Sequence, residues 1–374
     1  MLIATVNSGS ASIKRAAFEL PDGAPSETAP LQRVAAVRHE GTHLEPAAEL
    51  AAFLEELPAP PAALAHRVVH GAQRYTQPVR IDAAVRQGIG ELAALAPLHN
   101  PLALRWIDAA TALCGAGVAQ VAVFDTAFFA SLPRVAAEYA LPPSLGWDVG
   151  VRRYGFHGLA HEAMWRRWCE LSPALEHGGR LISLQLGGGC SVTALEHGRA
   201  RDTSMGFSPL EGLVMASRCG DIDAAVVPYL AGRLAVEPAR LIESFNHEAG
   251  LLGMGGHDNP AELIAAGGER AARALELYCY RICKYIGAYL TVLGGCDGIV
   301  FGGGVGEHVP EIRRRVLAGL GWAGVELDAA ANVAAVGREG RISTEDSAIA
   351  VWTVRVQEEP LLARAAARVL GASS

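Results

Sequence analysis

The chain has 374 residues, enough for two domains with substantial cores, and a formal net charge of −7. Hydrophobic residues make up 51% and charged ones 19%, which excludes a disordered chain; no basic stripe is visible, which argues against a nucleic-acid partner. No uncharged apolar run reaches membrane-spanning length, the start lacks a basic region followed by an apolar core, and the seven cysteines are irregularly spaced, so the expectation is a reduced, cytoplasmic protein with no membrane contact.

The opening LIATV reads as a strand, NSGSASIK as a polar turn and RAAFEL as a second strand. Within that turn Asn7, Ser10 and Ser12 offer neutral hydrogen-bonding groups and Lys14 a cation, but the Gly-Lys-Ser/Thr ending of a Walker A loop is missing. A plain polar turn is the bland alternative. Residues 21–31 read as loop, and 45–57 have helical period, ended by Pro58, Pro60 and Pro61. AHRVVHGAQRY brackets a valine pair with His66, Arg67 and His70, so Arg67 is a candidate anion contact at a strand end. Residues 83–96 and 102–113 read as helices around APLHNP, where Pro101 favours an extended or turn geometry. Val118 to Phe124 is a buried strand. Asp125 at its C-terminal end stands where α/β folds place ligand groups, or else caps the next element.

A boundary between halves is expected near residue 127. RRYGFHGLAH spaces His157 and His161 by four, but no Glu follows His157, so the zinc pattern H-E-x-x-H is absent; His157 reads as loop and His161 as helix start. Residues 181–195 form a second strand–turn–strand, with Gly187, Gly188 and Gly189 at the tip. The resemblance to the first hairpin suggests a duplicated architecture. RCGDID sets Arg218 beside Gly220 and near Asp221 and Asp223, which suits capture of a carboxylate or phosphate, or makes a surface ion cluster. Residues 221–246 look helical with a break near Pro238, LLGMGGHDNP reads as loop, and 261–290 as a long helix or pair. GIVFGGGVGEH is a strand running into Gly302, Gly303, Gly304 and Gly306, a third phosphate-loop candidate ahead of a helix at 309–319. VWTVRV is a strand, followed by Glu358, Glu359 and a last helix.

Taken together, NSGSASIK, AHRVVHGA, APLHNP, VFDTAFF, RRYGFHG, LGGGCSVTA, DTSMGFSPLEGLVMASRCGDID, FGGGVGEH and ISTEDS resemble, in order and over nearly the whole chain, the acetate kinase family of short-chain acyl kinases, with its propionate and butyrate kinases. The resemblance implies an α/β fold of the duplicated actin-like ATPase (ribonuclease H-like) kind, with mixed sheets flanked by helices and a central cleft. It implies an N-terminal domain over 1–127, joined by a C-terminal helix at 360–374, and a nucleotide-binding and dimerisation domain over 128–359. It further implies a homodimeric, cytoplasmic phosphotransferase that moves phosphate reversibly between ATP and the carboxylate of acetate or a similar acid, giving acyl phosphate and ADP, with Mg2+ or Mn2+.

Carried over by residue, Arg67 and Arg218 grip the carboxylate and the transferring phosphoryl group, His157 stabilises that group, His99 supports it and Asp125 positions the reaction and its metal. Asn7 and Glu358 are the metal-side residues; Val69, Leu98, Phe156 and Pro209 form the pocket for the acyl end, with Arg67. Ser10, Ser12, Lys14, Gly187, Gly188, Gly189, Asp258, Gly302, Gly303, Gly304 and Gly306 lie on the nucleotide side. Departures from the family pattern fall at the donor and substrate edges: Gln185 for the usual His, Gly188 for Asn, GGHDNP for a segment with an Arg, His308 for Asn and Phe129 for His. Donor and acyl chain length are therefore open, with a propionate or butyrate kinase, a donor other than ATP, and a non-catalytic nucleotide-binding relative as alternatives.

Overall fold

The computed structural model describes residues 1–9, 12–21, 31–41, 44–97 and 99–371, so the expected site residues Ser10 and Leu98 lie outside the described residues. The chain divides into two units, Met1–Ala130 with Phe156–Leu159 and Gln357–Ser374, and Ser131–Gly155 with Ala160–Val356. Phe156–Leu159, within the range the sequence suggests for the second domain, therefore groups with the first unit.

In the first unit the described strands are β1 (Leu2–Ser8), β2 (Ser12–Glu19), β3 (Gln32–Glu40), β4 (Ala63–Val68), β5 (Val79–Arg80) and β6 (Ala119–Phe124), in the order β3-β2-β1-β4-β6-β5. β1, β2 and β3 are antiparallel neighbours; β1, β4 and β6 run parallel; β5 is an antiparallel edge. All six residues of β4 are buried, the expected pattern for a central parallel strand covered on both faces. On one side Leu50, Phe53, Trp106 and Ala110 from the helices Pro46–Glu55 and Asn100–Cys114 pack on Val6 and Leu64.

The second unit repeats this scheme strand for strand. β7 (Arg180–Leu186), β8 (Cys190–Glu196), β9 (Arg199–Thr203), β10 (Gly298–Gly302), β11 (Gly340–Arg341) and β12 (Ala350–Thr353) lie in the order β11-β12-β10-β7-β8-β9. Again the first three are antiparallel, β7, β10 and β12 run parallel, and β11 is an antiparallel edge. The duplication suggested by two similar hairpins is thus a duplication of whole sheets.

Several elements differ from the reading of the sequence. NSGSASIK is mostly strand: Asn7 and Ser8 end β1, Ser12 to Lys14 open β2, and Asn7 pairs with Lys14 across the ladder. The helix Asn100–Cys114 begins before Pro101, which its first turn tolerates because that N–H has no helical partner anyway. Gly250–Gly255 and Gly303–His308 are short helices where loops are expected. The long helical stretch, read as a helix or pair, is a pair, Pro260–Ala266 and Gly268–Leu293, parted at Gly267, whose φ of +64° is left-handed. Among the described residues no helix is long and apolar enough to cross a membrane.

Candidate active site

Three parallel strands of the first unit deliver their C-terminal ends to one place. Asn7 lies near the end of β1, Arg67 near the end of β4, and Asp125 directly after β6. This is the edge at which open α/β sheets put ligands. Arg67 is buried and makes a forked ion pair with Asp125, Nη2 to Oδ2 at 2.6 Å and Nε to both carboxylate oxygens at 3.1 Å. Its Nη1 donates to the Asn7 Oδ1 at 3.1 Å and lies 3.9 Å from the Glu358 carboxylate. The Asn7 amide donates in turn to Glu358 at 2.7 Å and Glu359 at 2.8 Å, and Lys14 pairs with Glu359 at 3.4 Å. Burial alone would pull the Arg67 guanidinium down; Asp125 first, then Glu358 and Glu359, outweigh it and hold the group above its ordinary value. Arg67 is therefore a permanent cation. Glu359 was not among the expected site residues, although it stands next to Glu358 in the sequence.

His157 is placed by strain. Its φ of +58° is left-handed, which is uncommon outside glycine and is kept where the surroundings demand it. The surroundings are Gly158, where a Cβ would fall 1.9 Å from the Asp125 carbonyl oxygen, so only glycine fits. The next residue, Leu159, gives its backbone N–H to the Asp125 carboxylate. Asp125 thus orders the chain that carries His157. Val69 and Phe156 are buried apolar residues of this unit, Phe156 edge-on to the His70 ring at 5.5 Å. Asn100, fully buried, clasps His70 from both sides, accepting from its N–H at 3.1 Å and donating to its carbonyl at 3.0 Å. The turn after β4 is thereby fixed to the helix whose N-cap is His99. The sequence pairs His99 with Asn100, but only the fold shows that Asn100 is the clamp.

In the second unit β7, β10 and β12 likewise point their C-terminal ends one way, and Gly187 and Gly302 stand at two of them. At the β7–β8 tip, Gly187 donates to the Gly189 carbonyl at 3.1 Å, and the Gly188 carbonyl accepts from Ala216 at 3.1 Å. A Cβ on Gly188 would meet nothing within 4 Å, and its φ is not left-handed. Gly303 is the opposite case: φ is +77° and a Cβ would lie 2.6 Å from the Leu186 carbonyl oxygen. Its N–H is held by Glu307 at 3.1 Å, and the fully buried Arg313 donates to the Gly306 carbonyl at 2.7 Å. Gly304 and Gly306 sit inside the short helix Gly303–His308.

Arg218 donates to the Pro209 carbonyl at 3.2 Å and points Nη1 at the Met215 sulfur at 3.8 Å; among the described residues it has no carboxylate within ion-pair distance. Burial pulls its pKa below the ordinary value, and the Cys190 thiol opposes this only in part. A partly desolvated arginine without a counter-ion is poised for an anion. Asp258 is exposed. The neighbouring loop lacks an arginine of its own, and Arg270 instead binds the short helix before it, donating to the Met254 carbonyl at 2.6 Å and that of Gly253 at 3.0 Å. The expected site residues thus gather as Asn7, Lys14, Arg67, Asp125 and Glu358 in one unit, and as Arg218 with Pro209 in the other.

Two sheets of one topology, each bringing polar or glycine residues to the ends of parallel strands, define an actin-like ATPase fold of the duplicated kind. The sequence model of the acetokinase family matches residues 47–364. Acetate kinase of Solibacter usitatus is 43% identical over 82% of this chain and 76% of its own length, and that of Micrococcus luteus 40% identical over 97% and 98%. The crystal structure of Porphyromonas gingivalis acetate kinase superposes with a TM-score of 0.85 at 34% identity, covering 99% of both chains. A propionate kinase from Francisella tularensis superposes equally, with a TM-score of 0.85 at 30% identity over 97% of this chain and 98% of its own. The chain belongs to the acetokinase family.

Proposed function

We propose that this enzyme reversibly transfers the γ-phosphate of ATP to the carboxylate of acetate or a similar short-chain acid, giving an acyl phosphate and ADP. The observation that carries the reading is the commitment of Asp125 to Arg67. A hydroxyl acceptor, as in sugar phosphorylation, calls for a carboxylate left open to take a proton. Here Asp125, directly after β6, has both carboxylate oxygens engaged by Arg67, a permanent cation; burial raises its pKa above the ordinary carboxylate value and Arg67 opposes this. A carboxylate substrate is already a nucleophile and needs no base. Its difficulty is electrostatic, since two anions must meet, and phosphoryl transfer rests on positioning and charge stabilisation.

In this reading Arg218 takes up the anionic groups, His157 hydrogen-bonds the transferring phosphoryl, and His99 supports it. Val69, Phe156 and Pro209 exclude water from the acyl chain. The glycine turns at 187–189 and 302–306, with Ser12, Lys14 and Asp258, serve the nucleotide. Among the described residues no three His, Cys, Asp or Glu side chains form a closed metal cage. That suits Mg2+ or Mn2+, which are commonly held by one or two carboxylates with the remainder from phosphate and water. Glu358 would be the carboxylate that holds the cation; Asn7, whose amide N–H donates to Glu358 and whose Oδ1 accepts from Arg67, would orient that carboxylate. When bound, the cation would offset charge on the phosphate oxygens.

The proposal includes a homodimer and a reducing, cytoplasmic setting. The helix Val226–Leu234, VVPYLAGRL, buries none of its residues, and Tyr229 and Leu234 stand 64% and 57% exposed, which supports a second copy as cover. All seven cysteines are unbridged, which supports the reducing setting. The test is a survey of acetate, propionate and butyrate with ATP and magnesium, trapping acyl phosphate as hydroxamate. Product with at least one acid is expected; none with any of them overturns the reading.

A further inference from the structure

The Arg218 loop is held by one carboxylate that has no place in the reaction described above. Asp221 exchanges two hydrogen bonds with Gly212: its N–H donates to the Gly212 carbonyl at 3.0 Å, and its Oδ1 accepts from the Gly212 N–H at 2.9 Å. These bonds close a ring of chain. Inside it Met215 donates to the Arg218 carbonyl at 3.0 Å, turning the chain so that the guanidinium meets the Pro209 carbonyl just outside. Gly220 keeps the ring tight, since a Cβ there would come within 2.5 Å of the Gly212 and Leu213 carbonyl oxygens. The remaining oxygen of Asp221 accepts from the Tyr285 hydroxyl at 2.8 Å and lies 3.6 Å from Arg281, one turn earlier on the helix Gly268–Leu293. Burial, and then the Asp221 charge, push the Tyr285 phenol far above its ordinary value, so it remains a donor throughout the working pH range.

We propose that Tyr285 is a positioning residue for anion capture: through Asp221 it orients the loop that presents Arg218 and Pro209. Leu213, Val214 and Met215 anchor one side of the ring in the core, and Ala216, Ser217 and Cys219 bond to neighbouring segments, so the arc from Arg218 to Asp221 is the part whose orientation depends on the Asp221 hydrogen bonds. Without its Tyr285 donor the Asp221 carboxylate holds the Gly212 N–H less firmly; the backbone bonds of Ala216, Cys219 and Asp221 remain, and the freedom gained falls on the Arg218 side chain. The inference rests on the reading of Arg218 as an anion contact.

The test is Tyr285→Phe, which removes one oxygen and keeps the ring that packs edge-on against Tyr289 at 5.8 Å. The probe is inorganic phosphate, followed by phosphorus-31 line broadening, with Arg218→Ala marking the site. The dissociation constant should rise about tenfold, in line with one lost hydrogen bond to a charged group. The KM for the carboxylate should rise with it, while the KM for nucleotide and the melting temperature stay put. Unchanged phosphate binding in Tyr285→Phe overturns the proposal, and so does a parallel loss of nucleotide affinity and thermal stability, which would mean general loosening. Absence of phosphate binding that depends on Arg218 in the unmodified chain overturns it too. If Tyr285→Phe weakens phosphate binding but no acyl phosphate is ever formed, the positioning role stands and the carboxylate kinase reading falls.

Discussion

Arg67 and Arg218 carry the same expectation from sequence, yet their surroundings divide them. Both should slow turnover by roughly 100-fold or more when replaced by alanine, the usual scale for a group that stabilises transition-state charge. Their effects on stability should differ. Arg67→Ala strands the Asp125 carboxylate, 1% exposed, without its partner, and breaking such a pair typically costs about 3–5 kcal/mol. Arg218→Ala strands no charge, so its melting temperature should stay near that of the unmodified chain. Equal melting temperatures for the two variants would contradict this account of the ion pair. Gly188 gives a second residue-scale prediction. Open space around its Cβ and an ordinary φ mean that Gly188→Asn fits without strain. An aimed donor to phosphate is worth roughly 3 kcal/mol, and the backbone N–H already supplies part of that, so turnover with ATP should rise by less than about tenfold. Turnover unchanged or lower, with stability intact, would show that the tip lacks no phosphate contact.

At the scale of elements, the three parallel strands of each sheet do the positioning. Their apolar runs were legible in LIATV, VAVF and GIVFG, and so were the residues just beyond them. Asn7, Arg67 and Asp125 could be picked out singly, because each stands at or near a probable strand end; that they share hydrogen bonds was not legible, because strand order is a tertiary property. β3 escaped because QRVAAVRHE is an edge strand whose Val34, Ala35 and Val37 are only partly buried against the core, and β5 because it has two residues. Gly158 and Asn100 escaped for another reason: their meaning lies in a steric limit and a two-way clasp that no spacing announces. The loop around Asp258 carries the prediction at this scale. It is largely exposed and lacks an arginine, and Arg270 is already engaged with the Gly253 and Met254 carbonyls of the short helix Gly250–Gly255 that precedes it. Discrimination between ATP and GTP should therefore be weak. Competition that favours ATP by about 100-fold, close to the discrimination a single well-built pocket contact gives, would show that other residues form the base pocket.

For the whole molecule, two histidines tie stability to pH. His66, in β4, and His70, after it, are buried, and burial pushes both down to about 4 from an ordinary value of 6.5; for His66 a hydrogen bond with Gln120 opposes this in part. The fold holds both rings neutral, whereas the unfolded chain protonates them near 6.5. The stability they contribute is complete above that value and is lost as pH falls toward 4, by roughly 3 kcal/mol for each ring. Melting temperature should fall across this window, and His66→Leu should remove roughly half of the slope. A flat profile between pH 7 and 4.5 would contradict the burial of neutral rings. The duplicated sheets and the family relation fix the class of chemistry, and the central claim is that the acceptor is the carboxylate itself. The most direct measurement uses acetate labelled with oxygen-18 in its carboxylate, together with ATP, magnesium and the enzyme, read by phosphorus-31 resonance. An acyl phosphate signal displaced by a heavy bridging oxygen is expected, because a carboxylate acceptor attacks the γ-phosphorus with its own oxygen. An acyl phosphate whose bridging oxygen is unlabelled, or no acyl phosphate at all, would contradict it.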